Sequence, residues 1–311
     1  MCGVFGFVSF NGKGPSIKRL EKIAAVTQRR GPHAFGFSWV DSRGRIKSFK
    51  ATGKITDHAG ILELAHDAQF LIGHCRYATH GAPENNLNNH PHPVDGGWFV
   101  HNGVISDHGQ LVADHDLHPV TACDSETLGL LIENGEGRLR KRCIEAVQYA
   151  SGSPLVFLGV WSRPGRLIAL RSGNPLSMGL CKGRVYLGSL QEALPGKVVQ
   201  VKDNSGVDFA DGLLKDFKFT RNASGCYGPA DDADEAADES EDWDLDDAPA
   251  ETCCNDDDGR GIPARPAPKL PTGLVAIPTS NAGPKQPQKP AAPKLKQPLD
   301  GGLGRRWLWD N

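Results

Sequence analysis

From its second residue the chain reads as a succession of short apolar runs separated by turn residues. Val4 to Phe10 is apolar and aromatic with small residues between, which predicts a strand beginning almost at the N-terminus. Ser16 stands where a helix cap belongs, ahead of Ile17, Leu20, Ile23 and Ala24 at helical spacing, and that helix is expected to stop near Arg29-Arg30-Gly31-Pro32. Further strands are expected at Ala34–Val40, Ile46–Ala51, Phe70–Arg76 and Trp98–Ile105. Ser125 to Glu133 reads as a helix with Asp124 as its N-cap, and Leu139 to Tyr149 as another. After Pro154 come Leu155–Trp161, Leu167–Arg171, Leu176–Leu180, Val185–Leu187 and Val198–Val201, strand-like pieces punctuated by Gly and Pro. Strands at both ends with helices between predict an α+β layered sandwich.

Near Cys226 the pattern dissolves. Fifteen acidic residues and no basic one lie between Asp231 and Asp258, and a Pro/Lys/Gln/Ala-rich stretch follows from Gly259 to Pro298. Neither offers enough apolar surface to offset chain entropy. The expected organisation is therefore a folded domain over residues 2–226, a disordered linker over 227–303 and a terminal peptide over 304–311. The last carries Trp307 and Trp309, which suit either a docking motif or a chance terminal cluster.

Composition narrows the function classes. A net charge of −2 and a pI near 6.6 give no reason to expect nucleic acid or a membrane surface as partner. Eight irregularly spaced cysteines, with no basic, apolar leader before them, suit thiols in a cytoplasmic protein better than a disulfide scaffold.

Cys2 is the residue with the most chemistry. Removal of Met1 would expose a first residue bearing both a thiol and a free α-amine, a nucleophile and a base matched near neutrality. Taken alone, a cysteine here is more often ordinary packing. Amide chemistry also needs donors for an oxyanion, and Asn102 with Gly103 at the end of an expected strand supplies them, although Asn-Gly is also a turn. An α-amino-acid substrate needs a cation and an anion. Arg76 offers the bidentate fork and Asp124 the negative charge, each equally at home in a structural role.

Six segments in order change these odds: Met1-Cys2-Gly3-Val4-Phe5-Gly6, Arg30-Gly31-Pro32-His33-Ala34-Phe35-Gly36, Gly73 to Gly81, Asn89-His90-Pro91-His92-Pro93, His101-Asn102-Gly103 and Cys123-Asp124-Ser125-Glu126-Thr127. Together they resemble the class II glutamine amidotransferases, and in order and spacing the glutaminase domain of glucosamine-6-phosphate synthase. The likeness covers roughly residues 2 to 200. It implies the four-layer αββα sandwich of the N-terminal-nucleophile hydrolases, with L-glutamine as substrate. It further implies Cys2 as nucleophile, Asn102 and Gly103 as oxyanion hole, Arg76 on the glutamine carboxylate and Asp124 on its ammonium. Tyr77, Thr79 and His80 would line the loop over the substrate, with Tyr77 where the family commonly has Trp and Cys75 where it has Thr.

No cofactor is implied. Three imidazoles, His90, His92 and His101, match a zinc ligand count, but the His-Pro-His segment has no acidic or cysteine ligand at a recognised spacing, so no metal is expected. Relatives of this kind pass ammonia to a synthetase region, which this sequence does not show. The expectation is a glutaminase subunit serving a separate acceptor enzyme. The rival readings are an amidohydrolase for another amide and a scaffold that has kept the domain.

Overall fold

The first apolar run forms β1 (Gly3–Ser9), and the amphipathic stretch after it forms α1 (Ile17–Thr27). The computed structural model describes residues 1–150 and 153–220. The chain continues through β2 (Ala34–Asp41), β3 (Ile46–Thr52), β4 (Ala68–Arg76), β5 (His92–Val94) and β6 (Gly97–Asn102). Three helices follow, α2 (His108–Asp114), α3 (Glu126–Asn134) and α4 (Leu139–Tyr149). The remainder is strand: β7 (Leu155–Ser162), β8 (Gly165–Ser172), β9 (Ser177–Leu180), β10 (Arg184–Gly188), β11 (Lys197–Gln200), β12 (Ser205–Ala210) and β13 (Leu213–Lys218).

Among the described residues these strands make two antiparallel sheets, ordered β11-β9-β10-β1-β4-β2-β3 and β13-β12-β8-β7-β6-β5. Alternation along each strand sorts the side chains into three cores. In β1, Val4 and Val8 face the second sheet, where they join Val100, Val156, Leu158 and Val160. Phe5 and Phe7 face the other way and pack with Leu20 and Ile23 of α1. The outer face of the second sheet buries Phe99, Phe157 and Leu170 against Leu128 and Ile132 of α3 and Ile144 and Val147 of α4. Helix, sheet, sheet and helix thus stack as the expected αββα layers. Each fully buried Leu, Val or Phe removes apolar surface worth ~1.5–3 kcal/mol from water.

Several expected boundaries move. The strand expected to reach Ile105 stops at Asn102, which leaves the Asn-Gly pair at a strand end. Ser125, not Asp124, holds the cap position of α3, and it makes no side-chain cap bond. Asp124 instead accepts a hydrogen bond from the Ile105 N–H, 2.7 Å away. Helix α2 and strands β5, β12 and β13 were not expected. The linker and terminal peptide expected over 227–311 lie outside the described residues. Cys2, Cys75, Cys123 and Cys143 are free thiols, while Cys181 is disulfide-bonded.

Two positions yield tests. A Cβ on Gly36 would lie 2.3 Å from the His90 carbonyl oxygen and 2.7 Å from that of Phe49, so only glycine lets the His90 segment rest on β2. Gly36→Ala should lower unfolding free energy by ~1–3 kcal/mol in urea titration, the usual cost of overpacking. An unchanged midpoint would show that the segment can shift freely.

The second is Asp41, whose buried carboxylate accepts from the Arg43 and Arg45 N–H groups at 2.9 Å, and pairs with Arg45 and with Lys47 at 3.1 Å. Burial pushes this carboxyl up, but the donors of Arg45, Lys47 and Arg43 together outweigh it and hold it well below the usual carboxylate range. A depressed folded-state value means stability that is complete above the unfolded value of about 4 and lost as pH falls below it. Asp41→Asn should lower stability at neutral pH and flatten its decline on acidification, measured by denaturation at stepped pH.

Candidate active site

Register places Cys2. Gly3 opposes Cys75 in the antiparallel pairing of β1 with β4, so the residue before Gly3 meets the end of β4, where Arg76 and Tyr77 lie. The Cys2 thiol lies 3.4 Å from the Tyr77 carbonyl oxygen, to which it donates, and the Tyr77 N–H points at its sulfur from 3.3 Å. The Arg30 guanidinium holds the Cys2 carbonyl at 2.7 Å. Burial pushes the Cys2 thiol up. The Tyr77 N–H, the N-terminal ammonium and Arg76 pull it back, and Asp124 opposes them.

The loop behind Tyr77 depends on the Arg30–Gly36 segment. The Gly31 position comes so close to the Arg76–Tyr77 backbone that a Cβ would lie 2.4 Å from the Arg76 carbonyl carbon. His33 accepts the Ala78 N–H at 3.0 Å and packs its ring 4.7 Å from that of Tyr77. The motif is thus a backbone cradle, and Tyr77 keeps 47 % of its surface exposed above it.

Arg76 is buried at the end of β4. Its guanidinium donates to Asn89 Oδ1 at 2.8 Å, to the Gly81 carbonyl at 3.1 Å and to the His80 carbonyl. Residues 80 and 81 therefore wrap the cation. With five N–H donors in the group, two remain uncommitted by these contacts. The buried Asp124 carboxylate lies near His80, whose Nδ1 is 3.7 Å from Asp124 Oδ1.

Asn102 ends β6. Its carbonyl accepts from Asn174 Nδ2 at 2.8 Å, and the same amide reaches the Pro154 carbonyl at 3.0 Å. The Asn102 side-chain Nδ2 is buried and has no protein partner. Such a donor costs ~1–3 kcal/mol unless something accepts from it. Gly103 is tightly enclosed, since a Cβ there would lie 2.6 Å from His101 Nε2 and 2.8 Å from the Pro154 carbonyl.

Cys2, Arg76, Tyr77, Thr79, Gly103 and Asp124 line one small cleft, together with His90, His101, Cys123 and Ser125. Two of the expected residues, Asn102 and His80, are not among its lining residues. Asn102 is joined to it through Gly103, and His80 through Asp124. The motifs missed Asn174 as a functional position, although it lay within Arg171–Leu176; its bond to Asn102 spans 72 residues and leaves no local signal. Of the buried imidazoles, His90, His92 and His101 were weighed together in the sequence, and His74 was not. His74 stacks on His90 at 4.1 Å, His90 meets His92 edge-on at 4.6 Å, and His101 Nδ1 bonds Ser125 Oγ at 2.9 Å. Burial first, and neighbouring cations after it, lower His74 to about 3; burial lowers His101 to about 4 despite Asp124.

No family model matches the chain. Curated relatives do. It is 31 % identical over 197 residues to the glutamine–fructose-6-phosphate aminotransferase of Agrobacterium fabrum, covering 61 % of this chain and 31 % of the relative. The same enzyme of Gluconobacter oxydans is 32 % identical over 205 residues, at 62 % and 32 % coverage. The chain thus spans about a third of the length of the curated relatives it matches. Among solved structures, an allosteric regulatory enzyme of purine biosynthesis superposes with a TM-score of 0.60 at 22 % identity, over 71 % of this chain and 50 % of that one. Glutamine phosphoribosylpyrophosphate amidotransferase of B. subtilis gives 0.57 at 23 %, with the same coverages. The sequence likeness supports the resemblance to class II glutamine amidotransferases, and these solved structures share the chain's fold.

Proposed function

We propose that this class II glutamine amidotransferase domain hydrolyses L-glutamine to glutamate and ammonia through a thioester on Cys2. One observation carries the reading: a thiol, a buried cation, a buried anion and the Gly103 backbone converge on one cleft. Arg76 takes the substrate α-carboxylate with its uncommitted donors, and Asp124 takes the α-ammonium. Tyr77, Thr79 and His80 form the loop over the bound amino acid.

The chemistry then follows from the groups in place. With Met1 removed, the Cys2 α-amine accepts the thiol proton and the thiolate attacks the side-chain carbonyl carbon. The oxyanion that forms accepts from Asn102 Nδ2 and the Gly103 N–H, which fills the unmet donor at Asn102. The C–N bond breaks and ammonia leaves with the proton from the α-ammonium. Water next attacks the thioester, releasing glutamate and restoring the thiol. An amide without an amino-acid head would leave Asp124 buried without a cationic partner, which disfavours the other-amide reading.

We further propose that the ammonia is passed to a separate acceptor enzyme. We place the protein in the cytoplasm on the free thiols Cys2, Cys75, Cys123 and Cys143, against which the disulfide at Cys181 stands. No described helix is long and apolar enough to cross a membrane. In domain terms the glutaminase spans residues 2–226, with 227–303 as linker and 304–311 as a docking peptide.

Two experiments test the assignment. Active protein should begin at Cys2 by intact mass, and Cys2→Ser should abolish ammonia release from glutamine while retaining glutamine binding by calorimetry. Activity in protein that retains Met1 would remove the α-amine from the mechanism, and no ammonia from the wild type would favour a scaffold. In steady-state kinetics Asn102→Ala should lower kcat by ~10²–10³ with KM little changed. Arg76→Lys should chiefly raise KM, because an ammonium cannot reproduce the fork. The reverse split would exchange the two roles.

A further inference from the structure

In the wall of the cleft lies a cluster to which the proposed glutaminase chemistry gives no role, with His90 and Cys123 among the lining residues. His90, His92 and Cys123 each offer one ligand atom, all within 4.8 Å of one another, and all three side chains are at least nine-tenths buried. Both ring nitrogens of His90 and Nε2 of His92 are buried with no protein partner. The His74 ring lies tilted 4.1 Å from that of His90 and is engaged with the His101 backbone. An unmet buried polar group costs ~1–3 kcal/mol, and one ion between the rings would take one nitrogen from each of His90 and His92.

We propose that His90, His92 and Cys123 bind a zinc-class metal ion at the wall of the cleft. Neutral imidazole and thiolate are the donors such an ion selects. Tetrahedral zinc sets its donors roughly 3.5 Å apart, so the side chains need rotate by only about 1 Å to close on it. The nearby cations are turned elsewhere: Lys50 donates to the Asn89 carbonyl at 2.8 Å and Arg76 to Asn89 Oδ1. Binding expels the Cys123 thiol proton to solvent, so a divalent ion adds one net positive charge, and the adjoining Asp124 carboxylate offsets it. The ion would tie the His90–His92 segment, which rests on β2, to the turn that presents Asp124.

The test uses the full chain stripped of metal and titrated with Co²⁺, the spectroscopic stand-in for zinc. The expected result is a thiolate-to-cobalt charge-transfer band saturating at one ion per chain and displaced by Zn²⁺. Cys123→Ser should abolish the band. His92→Gln should weaken cobalt binding at least ~10-fold, since even an outer partner of a ligand is worth that much. Absence of the band in the wild type overturns the proposal without any variant. So does a band that survives Cys123→Ser, which would assign the metal to another thiol such as Cys2. Neither result bears on glutamine hydrolysis, which is read separately by ammonia release.

Discussion

The pairing of β1 with β4 is the constraint on which the rest depends. It fixes Gly3 opposite Cys75, and so sets Cys2 against Tyr77 at the head of the cleft. The register is enforced by packing on both faces. A slip of one residue would turn Val4 and Val8 outward and drive Phe5 and Phe7 into the space between the sheets, exchanging every side chain's core. Position of a single sulfur atom is thus secured by the burial of four large side chains beside it. No cap, metal or disulfide at Cys2 is needed to achieve this.

The second layer of organisation is electrostatic. Arg76 and Asp124 are both buried, and a buried charge is costly unless it is paired and hydrogen-bonded. The fold meets most of that cost with its own atoms: carbonyls of the 80–81 loop and Asn89 for the cation, the Ile105 N–H for the anion. These bonds leave each group partly unspent, which is the condition for recognising a small zwitterion. The neighbouring imidazoles are held neutral by burial, so the cleft is not flooded with positive charge.

Much of this was legible in the residues alone. Strands at both ends around central helices pointed to a layered α+β sandwich, the motif resemblance implied its αββα order, and α4 falls over the expected Leu139–Tyr149. What escaped had weak or distant signals. Helix α2 is short and mostly polar, and β13 is a half-exposed edge strand without a strong apolar alternation. Asp124 had the right type and position for a cap, but a longer-range donor at Ile105 took its carboxylate. Local spacing also could not show that Cys123 is folded against His90 and His92 from 31 residues or more along the chain.

The position of β1 within its sheet carries a kinetic consequence. It lies between β4 and β10, so one of its two ladders is made with residues 184–188, nearly the full described length away. Contacts of such separation form late, because the loop entropy of the intervening chain must be met before they stabilise anything. During synthesis the N-terminal strand therefore waits for a partner that emerges some 180 residues later. Until then β1 can hold only its ladder with β4, so the strand translated first is the one completed last.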